Sequence, residues 1–344
     1  MPFPIDELFK IASDKRASDL HLIVGKPPIL RIDGELKELT DKKLLTKETA
    51  EKLILVMLNE NQKESFYRKR ELDMSHQLDG VSRYRVNLHF EKDNIGMVAR
   101  VISTTIPSLD DVTMPPLVHE LLQKQAGLIL VTGPTGCGKS TSLAAMIRTI
   151  NEERFANIIT FEDPIEFIHK PIKSIIKQRQ LGSDILSFAE GLKHVLRQDP
   201  NVIMVGEMRD LETIATTITL AETGHLVLAT LHTHNASQTI DRIIDIFPPY
   251  QQAQVRLQLS ISLSAVISQK LLPQSGGGRV AIREILVNNP AVANTVRENK
   301  IPQLRTIMQT SMQEGMTTMD QALKDALQRG LIDEPTALAY MEGA

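Results

Sequence analysis

The sequence predicts an α/β protein in which a smaller α+β domain precedes a parallel sheet covered by helices. From residue 127 onwards, short apolar runs alternate with longer segments, which is the rhythm of a parallel sheet with covering helices. The first part of the chain instead contains strands in which polar and apolar residues alternate, as in a sheet with one exposed face. Several prolines between residues 103 and 116 predict a domain boundary there.

Local patterns predict the elements of the first domain. The dipeptide Asp33-Gly34 separates two short apolar runs and is a strong hairpin signal. We predict a helix at 5–15, strands at 19–24, 29–32 and 35–39, helices at 47–58 and 62–70, and two strands at 83–90 and 97–102.

The second part of the chain begins with four apolar strands at 128–131, 158–161, 202–205 and 226–231. A long helix at about 250–268 is expected next, and the turn Gly276-Gly-Gly278 then leads into a hairpin strand at 280–287. Helices follow near 291–299, 302–313, 318–329 and 334–342. We therefore divide the chain into an α+β domain (1–102), a linker (103–116), an α/β domain (117–288) and a helical region (289–344).

Composition excludes several classes of protein. The net charge is −3 and no block of five or six basic residues occurs, so a nucleic-acid partner is not expected. No run approaches the ~18 apolar residues of a membrane helix, and the acidic start lacks the features of a signal peptide, so we expect a cytoplasmic chain. The only cysteine, Cys137, leaves no partner for an internal disulfide and no multi-cysteine zinc site.

Residues 133–140 read Gly-Pro-Thr-Gly-Cys-Gly-Lys-Ser, a complete phosphate-binding loop preceded by the apolar run 127–131. In such a loop the glycines allow backbone N–H groups to point at phosphates, Lys139 reaches the β- and γ-phosphates, and Ser140 can hold Mg²⁺. The alternative is a glycine-rich turn with a chance lysine. The sequence predicts ATP and Mg²⁺ binding by Gly133, Pro134, Thr135, Gly136, Cys137, Gly138, Lys139, Ser140 and Thr141.

Polar residues at the ends of the later strands are candidates for the chemistry. Ligands of open parallel sheets lie at the carboxyl ends of the strands, where Glu162 and Glu207 follow two of the apolar runs. Triphosphate hydrolysis needs a base for water and an acid near Mg²⁺, which these two carboxylates can supply. Solvated acids that cap turns are the alternative. His225 and His232 bracket another strand, and for them a hydrogen-bonded structural role is the alternative.

Taken in order, several segments resemble the type IV pilus retraction ATPase family (PilT) of the secretion ATPase superfamily. They are Ala17-Ser-Asp-Leu-His21, the loop at 133–140, Glu162-Asp-Pro-Ile-Glu166, Gly206-Glu-Met-Arg-Asp210 and the histidine-containing segment 224–233. The resemblance implies a PAS-like N-terminal domain and a RecA-like ATPase domain followed by helices. It also implies a hexameric motor that hydrolyses ATP to retract pili.

The same resemblance implies a role for each candidate residue. Glu162 would be the base for water, Glu207 the atypical Walker B acid near Mg²⁺, and His225 and His232 would sense or position the nucleotide. The acid follows Gly206, whereas an ordinary Walker B strand ends in aspartate. The implied partners are five further copies of the chain and the inner-membrane platform protein of the pilus machine, which places the ring at the inner membrane. Whether a paralogous pilus ATPase is a further partner stays open.

A hexameric ring with nucleotide sites between subunits would explain an arginine-rich strand. Arg83 and Arg85 share one strand face, and Arg100 lies on the strand predicted to be adjacent. Arginines supplied by a neighbouring subunit can stabilise the γ-phosphate in the transition state, a contribution that can reach about 10³ in rate. A solvated strand face, or salt bridges to nearby acids, is the alternative.

Other functions of an ATPase domain of this kind remain open at this point. An extension or type II secretion ATPase usually carries a four-cysteine metal site, which a chain with one cysteine cannot build. A nucleic-acid motor and a nucleotide-switched regulator without hydrolysis are two further alternatives.

The chain departs from the family pattern at two places. A family signature close to Ala-Ile-Arg-Asn-Leu-Ile-Arg-Glu is associated with retraction, and here Ala293 replaces its first arginine and Thr295 its leucine. Cys137 stands where serine is common. A harmless small residue is one interpretation, and the other is a thiol that ionises readily beside Lys139 at a helix N-terminus.

Overall fold

A computed structural model describes residues 4–32, 34–78, 80–102 and 105–341. Asp33 of the predicted hairpin turn and residues 103 and 104 of the predicted linker lie outside these ranges. The chain forms two units. One contains the residues up to Thr105 together with Pro164–Ile168, and the other contains Ile106–Asp163 and the chain from His169 onwards.

The first unit is an antiparallel sheet with three helices. Its strands follow the order β3-β2-β1-β6-β5-β4 in the sheet. The elements are α1 (Ile5–Asp14), β1 (Asp19–Leu22), β2 (Ile29–Ile32), β3 (Glu35–Glu38), α2 (Lys47–Leu55), α3 (Glu60–Lys69), β4 (Glu71–Leu78), β5 (Ser82–Glu91) and β6 (Asn94–Ile102).

The alternation in β5 is what the sequence predicts. Tyr84, Val86 and Leu88 are fully buried, because every second residue of a strand points to the same face. The Tyr84 ring packs against Phe9 of α1, and its hydroxyl donates to the Phe9 carbonyl at 2.6 Å. Arg83 and Arg85 consequently point away from this core.

The second unit is a seven-stranded sheet in the order β13-β12-β7-β11-β10-β8-β9, parallel except at β13. Its strands are β7 (Gly127–Thr132), β8 (Asn157–Glu162), β9 (Ile175–Gln180), β10 (Val202–Val205), β11 (Leu226–Leu231), β12 (Leu263–Pro273) and β13 (Arg279–Val287). Its helices are α4 (Pro116–Leu122), α5 (Lys139–Glu153), α6 (Phe188–Val195), α7 (Leu211–Glu222), α8 (Ala236–Asp245), α9 (Pro249–Ser262), α10 (Pro290–Arg297), α11 (Leu304–Thr310), α12 (Met319–Gln328) and α13 (Glu334–Tyr340).

Helices cover both faces of this sheet. Leu128 and Leu130 of β7 belong to one apolar cluster, and the alternate residues Ile129 and Val131 belong to another. Strands buried on both faces read as continuous apolar runs, which explains why the sequence revealed them. The predicted α/β fold with an N-terminal α+β domain is confirmed.

One predicted element is wrong. The helix expected at 250–268 ends at Ser262, and the chain continues directly as β12. β12 is paired on both sides, with β7 and with β13, and its apolar residues are buried in the clusters on the two faces of the sheet. The β-branched and serine-rich stretch 260–268 carries no glycine or proline, and the helical pattern therefore has no visible end in the sequence.

Candidate functional site

The phosphate-binding loop connects β7 to α5 at the carboxyl end of the parallel strands. Gly133, Gly136 and Gly138 have φ angles of 143°, 80° and 88°, which residues with a Cβ rarely adopt. A Cβ at position 133 would also lie 2.3 Å from the carbonyl oxygen of Gln269 on β12. Glycine is therefore required there both by the backbone angle and by the close approach of β12.

The lysine of the loop lies over the loop's own backbone. Lys139 Nζ donates to the carbonyl oxygens of Gly133 at 2.7 Å and Pro134 at 3.1 Å. Pro134, Thr135, Gly136 and Ser140 are exposed, and Ser140 lies in the first turn of α5. The ammonium group, the open backbone and the hydroxyl thus surround the position that a phosphate occupies in such loops.

The structure favours the first of the two interpretations of Cys137, a small residue that fits the loop. Its side chain is buried, with 3% of the residue exposed. Burial raises the pKa of the Cys137 thiol above its ordinary value, although Lys139 acts in the opposite direction. Of the two interpretations of Cys137, a readily ionised thiol at the helix N-terminus is therefore disfavoured, because burial outweighs the nearby charge.

Three residues that are distant in sequence form a chain of contacts beside the loop. Lys139 Nζ lies 3.5 Å from His232 Nδ1, and His232 Nε2 lies 3.0 Å from Glu207 Oε1. The second oxygen of Glu207 pairs with Arg209 at 2.7 Å. Burial opposes ionisation of Glu207, but Arg209 and His232 outweigh it and hold its pKa below the ordinary value. The carboxylate is therefore charged near neutral pH.

Gly206 explains why the acid comes one residue later than in an ordinary Walker B strand. A Cβ at this position would lie 3.0 Å from the Phe161 carbonyl oxygen and 3.4 Å from Glu162 Cα. The Gly206 N–H donates to Phe161 O at 2.8 Å, and the Thr230 hydroxyl donates to the Gly206 carbonyl. The backbone is held between two neighbouring strands, and a side chain at position 206 would require β8 to shift.

Glu162 ends β8 and is buried. Thr160 Oγ1 donates to its Oε1 atom at 2.6 Å, and Gln178 Nε2 donates to the same oxygen at 2.9 Å. Both donors are neutral, so they fix the orientation of the carboxylate without neutralising its charge. Such a group can orient and polarise a water molecule.

The two histidines lie at opposite ends of β11. His232 is at the carboxyl end, beside the loop, whereas His225 precedes the strand. Six residues of strand correspond to about 20 Å at roughly 3.3 Å per residue. His225 Nδ1 lies 3.0 Å from the Leu220 carbonyl at the end of α7. Within one chain the structure brings His232 to the loop but not His225.

The three arginines lie on neighbouring strands of the first unit, where Arg85 is directly opposite Arg100. Arg83 donates to Ser75 Oγ at 2.7 Å and to the Ile165 carbonyl at 3.2 Å. The Arg85 guanidinium lies 3.6 Å from Glu166. Arg100 donates to the buried Asp19 at 2.9 Å. Each arginine has a local partner, and the contact of Arg85 is the longest of those described.

Sequence reasoning missed two contributors to this site. Arg209 pairs with Glu207, and its position two residues later in the same segment was an available signal. Gln178 orients Glu162 from β9, an edge strand whose residues Lys177, Gln178, Arg179 and Gln180 are polar. No pattern in the sequence marks β9 as a strand, since strand signals come from apolar or β-branched runs.

Comparisons with known proteins agree with this geometry. Residues 104–277 match the Type II/IV secretion system protein family. The chain is 44% identical over 333 residues to the type IV pilus retraction ATPase PilT of Pseudomonas aeruginosa. The aligned region covers 97% of this chain and 96% of the relative. It is 40% identical over 340 residues to the type IV pilus ATPase PilU of the same organism, with 98% and 89% covered.

A solved structure of the pilus retraction motor PilT with bound ADP has a TM-score of 0.93 against this chain. The two are 44% identical, and the match covers 99% of this chain and 97% of the other. By contrast, the type IV pilus assembly ATPase PilB of Acinetobacter baylyi matches only 45% of this chain and 25% of its own length. Among the described residues, no helix has the length and apolarity needed to cross a bilayer.

Proposed function

Because the chain belongs to the PilT family of pilus retraction ATPases, we propose that it is the ATP-hydrolysing motor of type IV pilus retraction and twitching motility. The observation that carries this proposal is the convergence of Lys139, His232 and Glu207 beside a complete phosphate-binding loop. The chain resembles a retraction ATPase over nearly the whole length of that relative, and for this reason we assign it to pilus retraction rather than extension.

In the proposed reaction, Glu162 acts as the base that orients the attacking water. Hydrogen bonds from Thr160 and Gln178 already hold its carboxylate in one orientation, so this group is preorganised before the substrate binds. Lys139 leaves the carbonyls of Gly133 and Pro134 for the β- and γ-phosphates. His232 contacts both Lys139 and Glu207, so a movement of the lysine would change the surroundings of the glutamate carboxylate through the histidine.

The site also fits Mg²⁺, which we propose as the cofactor. Ser140 offers an exposed hydroxyl and Glu207 an ionised carboxylate, and such hard oxygen ligands are those that Mg²⁺ prefers. Bound there, the ion would neutralise charge on the β- and γ-phosphate oxygens. Glu207 would hold the ion together with Ser140.

We further propose that six copies form a ring at the cytoplasmic side of the inner membrane. Arg83, Arg85 and Arg100 of one subunit then face the loop of a neighbour. Arg85 is the best placed of them to leave its partner, because 3.6 Å to Glu166 is a weak ion pair. The expected binding partner of the ring is the platform protein of the pilus machine, and a paralogous pilus ATPase is a second one.

Two measurements test this function. Purified protein should hydrolyse ATP only with Mg²⁺ and in its assembled form, and no stimulation by DNA is expected. Deletion of the gene should abolish pilus retraction under load while pili still extend. A protein that binds ATP without turnover would instead be a nucleotide-switched regulator, and loss of extension on deletion would indicate an extension ATPase.

The divergent signature at 291–298 bears on the output step rather than on hydrolysis. It forms most of α10, in which Thr295 is buried and Ala293 is half-buried. Restoring the family residues by Ala293→Arg together with Thr295→Leu should leave ATP turnover unchanged. A change in retraction force with constant turnover would identify α10 as part of the output.

A further inference from the structure

A buried polar cluster lies beneath the phosphate-binding loop and has no role in the function described above. It consists of Gln269, Arg283 and Ser142. Gln269 of β12 and Arg283 of β13 are directly opposite each other in the antiparallel register. Only 1% of Gln269 and 5% of Arg283 is exposed.

Gln269 contacts the loop and its helix from below. Its Nε2 atom donates to the Cys137 carbonyl at 2.6 Å, and its Oε1 atom accepts from Ser142 Oγ at 2.9 Å. Its backbone carbonyl also occupies the space that a side chain at Gly133 would need. Both polar ends of one buried amide are thus used to hold the loop and the first turn of α5.

Arg283 is a buried cation without a carboxylate partner among the ion pairs of the described residues. Its guanidinium donates to the Thr113 carbonyl at 3.1 Å and to Ser142 Oγ at 3.3 Å, and its Nε atom has no hydrogen-bond partner. Burial lowers the pKa of Arg283 to about 10, so the group keeps its charge near neutral pH. An uncompensated buried charge destabilises a protein unless an opposite charge comes near it.

We propose that Gln269 and Arg283 are positioning residues of the nucleotide site. Gln269 fixes the loop backbone from beneath, and Arg283 supplies a buried positive charge that the phosphates of the bound nucleotide neutralise. This inference rests on nucleotide binding at the loop and goes beyond it, because it assigns part of the affinity to two strands behind the loop. In a medium of low polarity such a charge acts over a longer distance than at the surface.

The test is equilibrium binding of ADP and of a non-hydrolysable ATP analogue to the purified protein. Arg283→Met should weaken binding of the analogue about tenfold and binding of ADP about threefold, because the analogue carries more negative charge. Arg283→Lys, which keeps the charge, should restore most of the difference. Gln269→Leu should weaken both ligands by about the same factor, since it displaces the loop without changing charge.

Arg154→Met is the matched control. Arg154 is half-buried, whereas Arg283 is buried, and like Arg283 it donates to backbone carbonyls, those of Leu122 and Lys124; it follows the last residue of α5, at the end remote from the loop. Its loss should change neither affinity. Equal weakening of both nucleotides by Arg283→Met would overturn the electrostatic role, and unchanged binding in Gln269→Leu would overturn the positioning role.

Folding is checked by thermal unfolding without nucleotide. Arg283→Met and Arg283→Gln should both fold, since the free protein gains nothing from an uncompensated charge. Failure of both variants to fold would contradict the inference and indicate a structural arginine. Absence of nucleotide binding in the unmodified protein would contradict the proposed function instead.

Discussion

The two sheets of this chain place their functional side chains in different ways. In the parallel sheet, residues far apart in sequence meet at one edge, so that Lys139, His232 and Glu207 form successive contacts of 3.5 and 3.0 Å. In the antiparallel sheet of the first unit, Arg85 and Arg100 lie opposite each other and are held by Glu166 and Asp19. The side chains of the parallel sheet meet within one chain. The arginines of the antiparallel sheet instead have separate partners, and the described residues of that unit offer no single group that both arginines contact.

This difference separates residues whose chemistry is set by the fold from residues that need a second subunit. The carboxyl ends of parallel strands lie at one edge of the sheet, so residues placed there come together within one chain. Arginines on a sheet face can act on a phosphate only when another surface is brought to them. The predictions below challenge this separation.

The largest effect is expected for Glu162→Gln. Loss of the carboxylate should lower kcat about 10³-fold, the range of general-base catalysis, while nucleotide affinity changes little. Steady-state turnover and equilibrium binding on the same preparation measure the two quantities. Thr160→Val, which removes one orienting hydroxyl at constant volume, is the graded control and should cost about tenfold. A Glu162→Gln protein with more than a tenth of the original turnover would exclude this residue as the base.

Arg85→Ala follows in size and tests the second arrangement. Hydrolysis by the assembled protein should fall about 10²-fold with ATP binding retained, because two further arginines remain on the sheet. The affinity of a dilute, dissociated sample for ATP should not change, because Arg85 acts only on the site of a neighbouring subunit. Full activity in the assembled variant would show that Arg85 belongs to a solvated strand face.

Arg100→Ala is the comparison for Arg85. Arg100 holds the buried carboxylate of Asp19 at 2.9 Å, so its loss should destabilise the first unit by about 1 kcal/mol and reduce turnover less than Arg85→Ala does. Thermal unfolding and turnover separate the two effects. The reverse order of turnover would move the catalytic role from Arg85 to Arg100.

The fold can be predicted from the sequence in those elements whose pattern of apolar residues is determined by burial. Continuous apolar runs identify β7, β8, β10 and β11, since strands covered on both faces consist mostly of apolar residues. Edge strand β9 is not predicted, because four of its six residues are polar and it therefore lacks a continuous apolar run. β12 resembles the end of a helix in the sequence, because only its two neighbouring strands define it.

The same distinction holds for the site. The loop and the acids after the strands are readable, because glycine, lysine and glutamate in this order are typical of triphosphate binding and uncommon elsewhere. Gln269 and Arg283 are not readable, since their role depends on a cross-strand pair and on the approach of β12 to Gly133. Residue type alone groups His225 with His232, although a six-residue strand between them implies opposite ends of the sheet.

A smaller effect is expected when the two histidines are compared. His232→Gln should lower turnover about tenfold, because it removes the contact between Lys139 and Glu207. His225→Gln should change turnover by less than about twofold, since its ring bonds the Leu220 carbonyl at the far end of β11. Equal losses in assembled protein would mean that His225 reaches the nucleotide of another subunit, and the separation drawn above would then fail.

The smallest effect is expected at Cys137, in the centre of the loop. Cys137→Ser should alter turnover by less than about twofold, because serine is similarly small and leaves the backbone bonds in place, with the residue 137 carbonyl accepting from Gln269 and its N–H donating to Pro134. Burial and a raised pKa keep the thiolate fraction low near neutral pH, so maleimide should modify the native protein at least about tenfold more slowly than the unfolded chain. Mass spectrometry over time gives both rates. Rapid modification that ATP prevents would show that the loop opens in solution, and the thiol would then report loop movement rather than catalysis.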